Sequence, residues 1–164
     1  DDVVEALDGT GVVAVAPGLM RNQFEHYIPA QSPVRPIEDA AYDALAAADV
    51  SIVSSGTATI EAALLGAPMV VIYRVSTATA WIARRLMRAP YIAMVNLIAE
   101  KRVVPELIQE AFEPEAVARE IEHLLASPEV RAIMKADLAE VSRRLGPPGA
   151  INRAADIIAS MLRS

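Results

Sequence analysis

The 164-residue chain contains no cysteine, which excludes a disulfide frame and any thiolate metal site. Aromatic residues make up only 4% of it. So few rings suit small-residue packing of helices on a sheet better than an aromatic-rich β sandwich. Histidine occurs twice, as His26 and His123, and neither has neighbours spaced for zinc or for a catalytic triad. No G-x-S-x-G elbow surrounds Ser54 or Ser55, so a serine nucleophile is not indicated. Long apolar runs are missing too: stretches such as Ala67 to Tyr73 are far too short to span a bilayer. The opening DDVVEALDG is acidic and lacks the basic start and apolar stretch of a signal peptide. It also lacks a Met, so the chain is expected to begin inside a longer protein.

What is present is a large apolar content, 54% of residues, and a net charge of −6 that disfavours nonspecific nucleic-acid binding. The charge is uneven. Arg74, Arg84, Arg85, Arg88, Lys101 and Arg102 stand against Glu100 alone, a +5 segment in a chain that carries −11 elsewhere. Two readings stand for this basic island, an anion-facing surface or a solvated helix face.

Short β-branched runs alternate with helical patterns. Strands are expected at Val12–Ala16, Pro33–Ile37, Val50–Ser54, Met69–Tyr73 and Tyr91–Met94. Helices are expected at Met20–Ile28, at Ala40–Ala48 behind an Asp39 cap, from Thr57 through Leu65 to a Gly66 stop, and at Thr77–Arg88. After Pro105 everything reads as helix. Glu106–Glu110 is short, with Pro105 at its first turn and Glu106 complementing the dipole. Pro114–Ala126 and Pro128–Leu145 each open on proline, and Ala150–Leu162 follows the Gly146-Pro147-Pro148-Gly149 break. Strands separated by helices imply parallel pairing, hence an α/β doubly wound Rossmann-like sheet with a helical C-terminal tail. The expected division is a ligand-binding domain over residues 1–110 and a tail over 111–164 that packs on it or on a further domain.

The segment most informative about chemistry is Ser54-Ser55-Gly56-Thr57-Ala58-Thr59-Ile60-Glu61, where a strand ends and a helix begins. Such a turn exposes unpaired amides at the positive end of a helix dipole. Gly56 permits close approach to the backbone, while Ser55, Thr57 and Thr59 add hydroxyl donors around Ala58. Together they form a neutral cradle for a diphosphate. Glu61, about one helical turn on, is placed to accept both hydroxyls of a ribose. No Walker lysine is present, and no metal or cofactor is needed. The alternative is structural: Ser-Gly-Thr caps a helix and Glu61 complements its dipole. The helix Thr77–Arg88 has a similar pair of readings. Trp81 with Arg84, Arg85 and Arg88 suits an anionic membrane surface, or the helix is amphipathic with its apolar stripe on the sheet.

The string DALAAADVSIVSSGTATIEAALLGAPMVVIYRVS, with ARRLMRAPYIAMVNLIAEKRVVPELIQE after it, resembles the carboxy-terminal domain of the lipid-A-disaccharide synthase family. The likeness is specific from Tyr42 to Gln109 and looser through LGPPGA; upstream, VVAVAPGLMRNQFEHYI is similar to the family's second strand and helix. The resemblance implies a GT-B fold and an inverting, metal-independent glycosyltransferase, cytoplasmic and peripheral to the inner membrane face. It implies a UDP-diacylglucosamine donor, a phosphorylated diacylglucosamine acceptor and a possible homodimer through carboxy-terminal exchange. The family's turn falls on Ser55, Gly56, Thr57, Ala58 and Thr59, its ribose acid on Glu61, its activity-linked asparagine on Asn96, and its phosphate-facing arginine on Arg74.

Two departures accompany the likeness. Met94 and Val95 stand where the family has Leu-Pro, and Glu100 stands where it has Gly, which is expected to loosen the loop around Asn96. The resemblance also implies a first strand before Asp1 and an amino-terminal domain carrying the acceptor site and the catalytic base. Without these the chain alone is expected to be inactive. Other readings of the residues are a related GT-B enzyme using UDP-N-acetylglucosamine, or a noncatalytic interaction module that keeps the fold.

Overall fold

The computed structural model describes residues 4, 9–16, 18–19, 23, 27–29, 31–76 and 90–162. The helix expected at Thr77–Arg88, with Trp81, Arg84, Arg85 and Arg88, lies outside the described residues, as does most of Met20–Ile28.

Five parallel strands are divided between two sheets among the described residues. In the first, β1 (Gly11–Val15) pairs with β2 (Val34–Glu38), Val13 opposite Pro36. In the second, β3 (Ser51–Ser54), β4 (Met69–Tyr73) and β5 (Glu106–Ile108) lie in that order. All pairs are parallel, as expected when crossovers carry helices, as those from β3 to β4 and from β4 to β5 do. β4 is the central strand, and its Met69, Val70 and Val71 are buried on both faces.

The helices are α1 (Ala41–Ala47), α2 (Thr57–Leu64), α3 (Met94–Ala99), α4 (Pro114–Ala126), α5 (Pro128–Leu145) and α6 (Ala150–Met161). Alanine at 62 and 63 keeps one face of α2 thin, and α5 packs there; the Ser142 hydroxyl donates to the Ala63 carbonyl at 3.2 Å. α4 contributes Val117, Ile121 and Leu124 to the core, and α5 contributes Met134, Leu138 and Val141. Pro114 and Pro128 occupy first turns, where a missing N–H costs nothing. Arg131 donates to the Leu125 carbonyl at 2.6 Å and closes the carboxyl end of α4. α6 has no buried residue, although Ile151, Ile157, Ile158 and Met161 are apolar.

Three expectations from the sequence need correcting. Tyr91–Met94 is not a strand: residues 92–93 turn into α3, because the Ile92 and Ala93 amides are taken by the Glu106 carboxylate. Glu106–Glu110 is not a helix. It forms β5 and a 3-10 turn at Gln109–Ala111, because Pro105 accepts from the Val71 amide and draws the segment onto the β4 edge. Asp39 does not cap α1, since Ala40 holds the cap position with no side-chain bond and Asp39 is left-handed at φ 53°.

The strand edges carry a further pattern. Gly11 donates to the Pro33 carbonyl, and Ser51 to the Pro68 carbonyl. Parallel ladders alternate, so the amides of Val12 and Ala14 on β1, and of Ile52 and Ser54 on β3, point to the edges away from β2 and β4. All four residues are exposed, and no ladder joins the two sheets among the described residues.

Candidate functional site

The turn from β3 into α2 is shaped by Gly56, at φ 145° and ψ −158°. Essentially only glycine adopts that conformation. Among the described residues, a Cβ built at Gly56 meets nothing within 4 Å, so backbone geometry rather than crowding demands glycine, and no described residue closes the space above the turn. The Ser55 amide is held by the Ile72 carbonyl at 3.0 Å and the Thr59 amide by the Gly56 carbonyl at 3.2 Å. The three amides between them, of Gly56, Thr57 and Ala58, meet no acceptor among the described residues. They converge at the positive end of α2.

The hydroxyls behave differently from one another. Thr59 is fully buried and donates to the Gly56 carbonyl at 2.8 Å. Ser55 donates to the Ile92 carbonyl at 3.3 Å. Each hydroxyl has one hydrogen, so these two brace the turn. Thr57 is exposed, and its side chain makes no bond to a described residue. No side-chain cap bond closes α2, so Ser55 and Thr57 do not act as ordinary caps. Glu61 lies half-buried one turn along α2, with no side-chain hydrogen bond or ion pair among the described residues.

Asn96 is fully buried, and its amide group is saturated. Its Oδ1 accepts from the Val103 and Val104 amides at 2.7 and 3.0 Å. Its Nδ2 donates to the Val104 carbonyl at 2.9 Å and to Glu106 Oε1 at 2.7 Å. These four bonds are all that an asparagine side chain can make. Glu106 also accepts from the Ile92 amide at Oε2 and the Ala93 amide at Oε1, both at 3.0 Å. Gln109 grips Val75 from both sides, accepting its amide at 2.7 Å and donating to its carbonyl at 3.1 Å. β5 and the turn after it therefore hold the chain just beyond β4 and just before α3.

Arg74 is turned toward the entry to α4. Its guanidinium donates to the Phe112 carbonyl at 2.5 Å, lies 4.9 Å from the Phe112 ring centroid and pairs with Glu113 at 3.4 Å. Glu100 is exposed and left-handed at φ 56° as it ends α3. That conformation explains why glycine suits the position. His123 is exposed on α4. It borders a groove of about 360 Å³ with Arg102, Pro105, Leu124 and Met134, which shares no residue with the turn. No group of acidic or histidine side chains among the described residues could hold a metal ion.

Sequence pattern alone misses Glu106 and Gln109, because Pro-Glu reads as a helix start. The available counter-signal was the β-branched pair Val103-Val104 directly before it, which suits a strand.

A parallel α/β fold with an open strand-to-helix turn at a carboxyl strand end belongs to the Rossmann-like class, where anionic ligands meet such turns. The chain matches the family described as Lipid-A-disaccharide synthetase over residues 10–159. It is 46% identical over 130 residues to a lipid-A-disaccharide synthase of Syntrophus aciditrophicus strain SB, covering 79% of this chain and 34% of that protein. It is 51% identical over 118 residues to that of Acidobacterium capsulatum, covering 71% and 30%. With that of Anaeromyxobacter sp. strain K it shares 39% over 158 residues, covering 95% and 41%. The chain belongs to the lipid-A-disaccharide synthase family. It spans between 30% and 41% of the length of these relatives.

Proposed function

We propose that the chain is the donor-binding part of an inverting glycosyltransferase that builds the lipid A disaccharide from UDP-diacylglucosamine and a phosphorylated diacylglucosamine. The observation that carries this reading is the set of three amides at Gly56, Thr57 and Ala58 that no described residue bonds, one helical turn from a Glu61 carboxylate that no described residue pairs. In this reading negative charge grows on the diphosphate as UDP departs, and prealigned amides at a helix start stabilise it without a metal. Thr57 adds a hydroxyl. Glu61 accepts from the ribose hydroxyls and orients the nucleoside.

The proposed parts of the other two site residues change with their geometry. Asn96 holds the Ile92–Val104 region together instead of touching sugar. Arg74 braces the entry to α4 through Phe112 and Glu113. The base that activates the acceptor is assigned to sequence that the longer relatives have in addition. Because both substrates carry acyl chains, a peripheral position on the inner membrane face is proposed, with Trp81, Arg84, Arg85 and Arg88 as its contact. No described helix is long and apolar enough to cross a membrane.

The test is Glu61→Ala in the complete enzyme, followed by calorimetry with UDP. Losing charge-assisted hydrogen bonds to ribose should weaken binding about tenfold or more. An unchanged UDP affinity would sink the assignment.

A further inference from the structure

Glu106 opens β5, and its carboxylate is met by three N–H donors and by no cation among the described residues: the amides of Ile92 and Ala93 and the side-chain amide of Asn96. Asn96 cannot rotate away, because its oxygen is held by the Val103 and Val104 amides. One residue, Ile92, then joins this centre to the ligand-facing turn. Its amide is bound by Glu106 at 3.0 Å, and its carbonyl receives the Ser55 hydroxyl at 3.3 Å. Ser55 immediately precedes Gly56, the first of the three amides that no described residue bonds.

We infer that Glu106 is a positioning residue: through Ile92 and Ser55 it sets where the Gly56, Thr57 and Ala58 amides point, and so governs affinity for a diphosphate that it does not touch. The consequence for affinity rests on the proposed diphosphate site; the coupling between Glu106 and the turn does not.

The chemistry requires an acceptor on both oxygens. A carboxylate offers only lone pairs, which suits three converging donors. A glutamine at 106 would turn its own NH₂ against at least one of them. If its remaining oxygen keeps Ala93 and Asn96, the bond to Ile92 is the one lost, and Ile92 is the route to Ser55.

The experiment is a double-mutant cycle on the full chain with Glu106→Gln, Ser55→Ala and the pair, read in two ways. The first is the backbone amide resonances of Gly56 and Thr57, recorded without ligand. The second is UDP affinity by calorimetry. Glu106→Gln should move both resonances and weaken UDP about tenfold, the size expected for misaligned charge-assisted contacts. In the Ser55→Ala background it should do neither, because the link is already cut. Unmoved Gly56 and Thr57 resonances, or an equal effect in both backgrounds, would overturn the inference. If the wild-type chain takes up no UDP, the diphosphate reading fails while the resonance cycle still decides the coupling. Should Glu106→Gln not fold, Glu106→Asp, which keeps the charge but shortens the reach, decides by the same cycle.

Discussion

The two sheets differ more in surroundings than in sequence. β1 reads Gly-Val-Val-Ala-Val and β4 reads Met-Val-Val-Ile-Tyr, and either string would suit a strand covered on both faces. Yet Val70 is fully buried, whereas Val12 is 47% exposed. β4 lies between two strands and beneath α4, with α5 and α3 completing the core. Among the described residues, β1 has a strand on one side only. The same kind of run is thus core in one place and edge in the other, because burial depends on what the rest of the chain brings to it.

The largest effect expected from this contrast is in the core of the second sheet. Leu138→Ala, at a fully buried site on α5, should cost about 3–4 kcal/mol of stability in denaturant unfolding, as large-to-small core changes do. Val12→Ala should cost less than about 1 kcal/mol, because half of that side chain never leaves water. Equal costs would mean that the two halves are buried alike.

Strand parity sharpens the comparison further. Val53→Pro removes an amide that faces β4 and should cost about 3 kcal/mol or more. Ile52→Pro, one residue away, removes an amide that faces the open edge and should cost about 1 kcal/mol or less. If Ile52→Pro unfolded the chain as readily, that edge would be paired in solution.

Asn96→Ala comes next. It strands the Val103 and Val104 amides in a dry site, at about 2–3 kcal/mol in chemical unfolding. A loss under about 0.5 kcal/mol would show that water replaces the side chain.

The smallest expected change is a gain. Glu100→Gly relieves a left-handed residue at the end of α3 and should add about 1 kcal/mol. For a chain of this size that is a rise of about 2–4 °C in Tm by calorimetry. No rise would show that the αL position is not strained.

Much of the fold was legible in the chain. β3, β4 and the helices from α4 onward begin and end within a residue or so of their expected limits, because proline, glycine and β-branched runs act locally. The Gly56 turn was legible as well. Three details were not: which hydroxyls face inward, what Asn96 binds, and that Glu106 sits on a strand. Apart from the Thr59 hydroxyl, which binds Gly56 three residues back, each depends on partners between 7 and 37 residues away in sequence, and nothing in local spacing announces such a partner.

By itself the sequence determined the parallel α/β class, the Gly-centred turn before α2 and the kinship of the chain, since these rest on periodicity and on residue types confined to few conformations. Tertiary structure alone decided that Ser55 and Thr59 brace the turn, that Asn96 is enclosed and that Glu61 has no partner among the described residues. The physical reason is saturation. A polar side chain has few hydrogen-bonding positions, and only the folded arrangement shows whether the protein has already filled them or left them for a ligand.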